Sequence, residues 1–264
     1  MEYINIKGVP DFSCKEYREK KTKYCLCIPV INEKDNIRME LLRARMNKVH
    51  TMVDIIICDG GSTDGSTDDD VMEALGVNTL LTKRGAGKQG AQLRMGFYWA
   101  LKRGYEGIIT IDGNNKDSIE DVVKFIEKLD EGYDFVQGSR FIAGGQAINT
   151  PLSRHLAVKY IHAPVISLTA REKFTDTTNN FRCYSKKYLT HPMVQPFRSI
   201  FKTYELLAYL STRASQLGLK TCEVPVTRAY PNDGKIPTKI SPIKGNSELM
   251  KILIANAVGA YNPK

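Results

Sequence analysis

Residues 53–66 read VDIIICDGGSTDGS. The first six form a short, β-branched apolar run of the kind that becomes a buried strand, and the rest is a loop of glycines, hydroxyls and two acids at its carboxyl end. The same pattern recurs on both sides. Residues 24–31 (YCLCIPVI) lead into Asn32-Glu33 and Asn36-Ile37, residues 77–81 (VNTLL) run toward GAGKQG at 85–90, residues 107–111 (GIITI) lead into Asp112-Gly113-Asn114-Asn115-Lys116-Asp117, and residues 133–137 (YDFVQ) into Gly138-Ser139-Arg140-Phe141. Helical periodicity fills the gaps at 35–50, 67–75, 89–103 and 118–130, the last with Val122, Phe125, Ile126 and Leu129 on one face and Asp117 or Ser118 as its cap. Strand and helix alternating four times predict an α/β fold, a Rossmann-like, mostly parallel sheet with helices on both faces.

After about residue 140 the rhythm changes. Gly144-Gly145 opens an irregular stretch, followed by a helix near 153–170, a polar loop at 172–182, a helix near 202–217, a strand near 219–227, a Pro/Lys/Gly-rich loop at 230–245 and an amphipathic helix at 246–259. This predicts an N-terminal extension (1–22), a nucleotide-binding half (23–145) and an acceptor-side half (146–264) of a single domain.

The 264 residues carry 38 Lys+Arg against 29 Asp+Glu, a net +9. The excess is spread along the chain and mixed with acids, which argues against a nucleic-acid arm and leaves an anionic substrate or an anionic membrane surface. No apolar run approaches the ~20 residues of a membrane span, and the first 25 residues are charged throughout, so the chain reads as cytoplasmic. Cys14, Cys25, Cys27, Cys58, Cys183 and Cys222 are scattered without metal-ligand spacing and read as free, buried thiols. The four histidines show no ligand pattern either, and Trp99 reads as packing.

In open α/β sheets, ligands bind beyond the carboxyl ends of the strands. Acids and small residues converge on that edge here. A diphosphate there calls for a hard cation, and Asp112 and Asn114 point to one side of an extended chain, as a shared ligand pair would. DGGSTDGS and DGNN are also ordinary turn sequences. GAGKQG matches the dinucleotide fingerprint and raises an NAD-dependent oxidoreductase as an alternative, although the fingerprint belongs to a first strand and two strands precede it here. Gly87 and Lys88 then have a supporting role at a diphosphate.

In order, IPVINEKDNI (28–37), IIICDGGSTDGS (55–66), RGAGKQGAQLRMGFYWA (84–100) and IDGNN (111–115) resemble the motifs of the inverting glycosyltransferases of family 2, with the GT-A fold, over roughly residues 22–228. Gly138-Ser139-Arg140, DTTNNFRCYS (176–185) and YELLAYLSTRASQLGLKTCEVPV (204–226) look most like the polyprenyl-phosphate (dolichol-phosphate) sugar synthases within that family. The resemblance implies a UDP- or GDP-sugar donor held by Pro29, Asn32, Glu33, Asp59, Gly61 and Gly113, with Mg²⁺ or Mn²⁺ on Asp112 and Asn114. It implies that Arg140 and Arg182 face the phosphate of a polyprenyl acceptor; a cell-envelope glycan precursor is the other acceptor class. Three departures stand out: Asn114 replaces the second acid of the DxD motif, Lys116 stands where the polyprenyl group often has Gln, and Gly60 replaces the second acid of the nucleotide loop.

A lipid phosphate is already anionic and needs no strong base, whereas a sugar hydroxyl needs a carboxylate, for which Asp176 and Glu205 are the candidates. Arg140 as an ion-pair partner, Asp176 as a loop-fixing acid and Glu205 as a helix contact are the structural alternatives. The helices near 153–170 and 246–259 are candidates for peripheral contact with the inner face of a membrane, and Lys239 or Lys244 for closure over the diphosphate. A non-catalytic sugar-nucleotide-binding module remains a further alternative.

Overall fold

Runs that are apolar on both faces become central strands, and the structure, a computed structural model describing residues 2–231 and 244–263, places them so. The first part of the chain runs β1 (Glu2–Ile6), β2 (Val9–Glu16), β3 (Tyr24–Val30), α1 (Asp35–Met46), α2 (Val49–Met52), β4 (Asp54–Asp59), α3 (Asp69–Ala74), β5 (Val77–Lys83), α4 (Gln89–Lys102), β6 (Gly107–Thr110), α5 (Val122–Asp130), β7 (Phe135–Ser139) and β8 (Gln146–Ile148). The rest runs α6 (Leu152–Ala157), α7 (Ala163–Ala170), β9 (Arg182–Ser185), α8 (Lys186–Leu189), α9 (Glu205–Gln216), β10 (Thr221–Pro225), β11 (Thr227–Ala229) and α10 (Lys244–Ala257).

Among the described residues the main sheet has nine strands in the order β1-β2-β5-β4-β3-β6-β9-β7-β10, and β8 pairs with β11 beside it. The block β5-β4-β3-β6 is parallel, as the alternation predicts. Side chains alternate across it. Cys25, Cys27, Ile56 and Cys58 enter one core with Phe97, Leu206 and Leu210, while Leu26, Ile28, Ile55 and Ile57 enter the other with Ile37, Leu41 and Phe125. None of the six cysteines is in a disulfide; Cys222 is half-buried and the others are buried.

Three departures from the sequence reading have physical causes. Segment 1–22 supplies β1 and β2, and β2 pairs antiparallel with β5, covering an edge that would otherwise be open. Residues 182–185, of which Arg182 was expected to end a loop and the other three had no assignment, form β9, which fits antiparallel between β6 and β7 and satisfies the facing backbone edges of both. The helix expected over 153–170 is interrupted by a π-turn at Val158–His162 just before Pro164, whose missing N–H cannot serve a regular α-turn there. The 118–130 helix begins as a short 3₁₀ turn without a side-chain cap, and the carboxylate of Asp117 goes elsewhere, as described below. Lys239 and the side chain of Lys244 lie outside the described residues.

Candidate active site

β3 and β4 run in register, Val30 beside Asp59, so their loops emerge together. The Gly60 N–H donates to the Val30 carbonyl at 2.7 Å, and a Cβ on Gly60 would sit 3.1 Å from the Gln92 side chain and 3.2 Å from that of Ile31, so a larger residue would press on both. Asp59 is buried and accepts from the Ser62 N–H at 3.0 Å and the Ser62 hydroxyl at 2.6 Å, so it shapes its own loop. The Asn32 N–H donates to Ser62 Oγ at 3.0 Å, Asn32 Oδ1 accepts from the Thr63 N–H at 2.8 Å, and the Glu33 N–H donates to Ser66 Oγ at 2.9 Å. Asn32 and Glu33 thus stand at an open rim; Gly61 turns at φ 96°, and Pro29 is buried within β3.

Beyond β6, Asp112 is only one-fifth exposed. Its Oδ1 accepts from Gln89 Nε2 at 3.0 Å and its Oδ2 from Arg228 Nη2 at 3.2 Å. Arg228 arrives because β11 crosses the loop: the Ala229 N–H donates to the Lys116 carbonyl at 2.8 Å, and Arg228 also pairs with Asp117. Burial works against the Arg228 charge, but Asp117 and then Asp112 outweigh it and hold the guanidinium firmly charged. Burial, then Arg228, pull the Lys116 ammonium below its ordinary value. Lys116 Nζ lies 5.2 Å from the centre of the Tyr230 ring, and Arg154 donates to the Tyr230 hydroxyl at 2.7 Å. Burial alone would raise that phenol, yet Arg228 and Arg154 draw it below its usual value. Three cations therefore surround one ring beside Asp112.

The same loop has structural tethers. Asn115 is left-handed (φ 55°); its N–H donates to the buried Glu40 at 2.9 Å and its side chain accepts from Arg43 at 3.0 Å. Gly113, expected at the nucleotide, is explained by packing, since a Cβ there would meet Val30 at 2.9 Å and Ile28 at 3.2 Å. The buried Asn114 Oδ1 has no partner among the described residues. A divalent cation would find here one carboxylate with both oxygens already accepting, one neutral carbonyl and a guanidinium 3.2 Å from the carboxylate. Among the described residues no group of three or more His, Cys, Asp or Glu could hold a metal ion. Asp112 and Asn114 could hold Mg²⁺ or Mn²⁺ only as one carboxylate and one neutral carbonyl, the remaining positions being left to phosphate oxygens and water, and the unpartnered carbonyl equally suits a hydroxyl of a ligand.

In the glycine-rich segment, the Lys88 N–H is taken by the Lys202 carbonyl at 2.8 Å, while its side chain is exposed. Gly87 is left-handed (φ 103°), and a Cβ on Gly90 would strike the Thr203 carbonyl at 2.6 Å. The glycines thus let α4 pack on residues 201–203, which removes the ground for a dinucleotide fingerprint, and the segment reaches Asp112 through Gln89.

The expected acceptor-side residues stand differently from the reading by resemblance. Arg140 and Asp176 are paired out of solvent, Nε to Oδ2 at 2.6 Å and Nη2 to Oδ1 at 2.9 Å, with further donors to Asp176 from the Arg140 N–H and Asn179. Arg140 is not open to an acceptor in this arrangement, nor Asp176 to a proton. Arg182 is buried, with its donors on the carbonyls of Asn179, Leu207 and Thr177 and the Ser211 hydroxyl. Glu205 begins α9 and accepts from the Thr203 N–H, the part of a helix-end acid. Gln89, Arg154, Arg228 and Tyr230, which the sequence reading passed over, take the places near Asp112. The signal for two of them was TRAY (227–230) after EVPV, where alternation puts Arg228 and Tyr230 on one face.

The description of glycosyl transferase family 2 matches residues 25–204. The chain is 27% identical over 203 residues to polyprenol monophosphomannose synthase of Mycolicibacterium smegmatis, covering 76% of this chain and 75% of that one. It is 28% identical over 205 residues to undecaprenyl-phosphate mannosyltransferase of Micrococcus luteus, covering 76% and 81%. Glucosyl-3-phosphoglycerate synthase from Mycobacterium tuberculosis, solved with Mn²⁺, UDP and phosphoglyceric acid, superposes with a TM-score of 0.62 at 16% identity, over 89% of this chain and 77% of that one. The fold is that of the GT-A glycosyltransferases. With the family model spanning most of the chain, this protein belongs to glycosyl transferase family 2 and is a glycosyltransferase.

Proposed function

We propose that this glycosyltransferase moves a sugar, with inversion, from a UDP- or GDP-sugar to the phosphate of a polyprenyl lipid, in cell-envelope biogenesis. One observation carries the acceptor class: the two carboxylates available as bases are engaged, Asp176 by Arg140 and Glu205 by its own helix end, while Arg154, Lys116 and Arg228 gather at Tyr230 beside Asp112. A site rich in cations and poor in free base suits a nucleophile that is already an anion. The mannosyltransferase relatives, named for polyprenol and undecaprenyl-phosphate products and acceptors, support the same class. UDP in the Mycobacterium tuberculosis neighbour supports a nucleoside diphosphate.

In this reading the rim at Asn32 and Glu33 receives the nucleoside, and Gln89 and Arg228 hold Asp112 in a fixed orientation toward the donor. Arg154 and Lys116 orient the acceptor phosphate. Its oxygen attacks the anomeric carbon opposite the diphosphate; the new C–O bond forms as the old one breaks, and the electron pair leaves with the nucleoside diphosphate. No proton has to be removed. α6 carries Arg154 toward Tyr230 and presents Leu152 (71% exposed) and Leu156 outward, continuing through Tyr160 and Leu168 with Lys159 and Arg171 beside them. That stripe supports peripheral contact with the cytoplasmic face of an anionic bilayer. Among the described residues no helix is long and apolar enough to cross a membrane.

The test is transfer by the purified full chain from a panel of UDP- and GDP-sugars to undecaprenyl phosphate, to the matching polyprenol and to soluble glycans. Product is expected from the phosphate alone. Turnover on the polyprenol or on a glycan hydroxyl, with none on the phosphate, sinks the acceptor assignment, and nucleotide binding without transfer to any acceptor favours a binding module.

A further inference from the structure

We propose that the cleft where α7, α9 and α10 end binds the phosphate headgroup of an anionic lipid, apart from the transfer site. The inference deepens the membrane reading above and rests on it. The cleft has a volume of about 540 Å³, and Leu168, Arg171, Arg213, Gln216, Asn256 and Val258 are among the residues that line it. None of the described residues lining it is acidic. Partial negative charge at helix ends favours basic side chains, but here the chain itself serves the last carbonyls. The Glu172 N–H donates to the Ser167 carbonyl at 3.1 Å, the Leu219 N–H to Ala214 at 3.0 Å and the Ala260 N–H to Ala255 at 2.9 Å. All three helices thus close in one way, around left-handed Arg171, Gly218 and Gly259, and the Gln216 amide donates to the Thr169 carbonyl at 2.9 Å.

The two guanidinium groups are left for something else. Arg171 is exposed, and its side chain has no partner among the described residues. Arg213 is 9% exposed and its partners are neutral: Nε donates to the Met193 carbonyl at 3.1 Å, Nη1 to Gln216 Oε1 at 3.3 Å, and the Tyr209 hydroxyl lies beside it. A guanidinium so withdrawn from water is ordinarily matched by an anion, and phosphate is the anion whose oxygens suit planar forks. The rim makes that phosphate a lipid's. Leu168 (80% exposed) and Val258 (75%) line the cleft, Ile254 stands exposed one turn before Val258, and the outward stripe of α6 runs through Tyr160 to Leu168. Apolar lips around a cationic hollow put the lips among acyl chains and the guanidinium groups at headgroup depth. A soluble phosphate would have no use for such a rim.

The experiment is cosedimentation of the full chain with vesicles of phosphatidylcholine alone and of phosphatidylcholine mixed with phosphatidylglycerol. Wild type is expected to prefer the mixed vesicles, and Arg171→Gln to lose about tenfold or more on them, the scale of a charged hydrogen bond. Lys159→Gln removes the same charge from the stripe outside the cleft, and is expected to lose less than about fivefold, the scale of one cation near an anionic surface. Both side chains are exposed, so neither substitution disturbs the core. Equal losses in the two variants, or equal wild-type binding to both vesicles, overturn the headgroup site and leave the membrane contact standing. Binding to neither vesicle overturns both. Calorimetry with inorganic phosphate separates the two sources of the anion: no saturable binding at millimolar phosphate is expected, and phosphate binding that Arg171→Gln abolishes, without any preference for phosphatidylglycerol, overturns the lipid assignment.

Discussion

Arg140 and Asp176 meet with both side chains at 1% exposure or less, and each supplies what the other needs in a place water does not reach. Deleting one member of such a pair strands a buried charge. Asp176→Ala is therefore expected to lower stability to urea by about 3–5 kcal/mol. A general base would respond otherwise, with turnover collapsing while the unfolding midpoint stays put, and equilibrium unfolding beside single-turnover assays separates the two. TDTTNN suits a base and a loop-fixing acid alike, because the difference lies in a partner 36 residues earlier in the chain. Arg228 was hidden from sequence for a similar reason. It stands 116 residues from Asp112 and joins it only because β11 crosses the loop, whereas Asp112, at the end of its own strand, was legible at once.

α6, the π-turn and α7 show how one element serves two surfaces. Leu152, Leu156, Tyr160 and Leu168 face outward while Val158, Ala163 and Ile166 pack inward, and the π-turn resets the helical phase between the two halves. Leu152→Glu with Leu156→Glu is expected to weaken cosedimentation with anionic vesicles by at least about tenfold, since burying each leucine is worth about 1.5–3 kcal/mol. Nucleotide affinity should be unchanged. Equal sedimentation of the double variant and wild type would remove this stripe from the membrane contact. Strands β3 to β6 were readable because short apolar runs sit between helices of clear period. β9 was not, because four residues beginning with a buried arginine carry no periodicity, and the strand exists through the two neighbours that flank it.

At the scale of the whole molecule, the two halves suggested by the change of rhythm near residue 140 share one sheet. β7 belongs to the first half, yet both of its neighbours, β9 and β10, come from the second. A fragment of residues 1–145 is thus expected to show no cooperative thermal transition by circular dichroism, in contrast to the full chain; a sharp transition in the fragment would mean that the first half completes its core alone. The insertion of β9 also bears on how the protein is made. A nascent chain that has delivered β6 and β7 holds three strand edges without partners, one on β6 and both on β7, until residues 182–185 and then 221–225 arrive, so its slowest and most aggregation-exposed interval falls while the second half is being synthesised. Chaperone demand should peak in that interval, and the cationic site, which needs Arg228, is finished only after it.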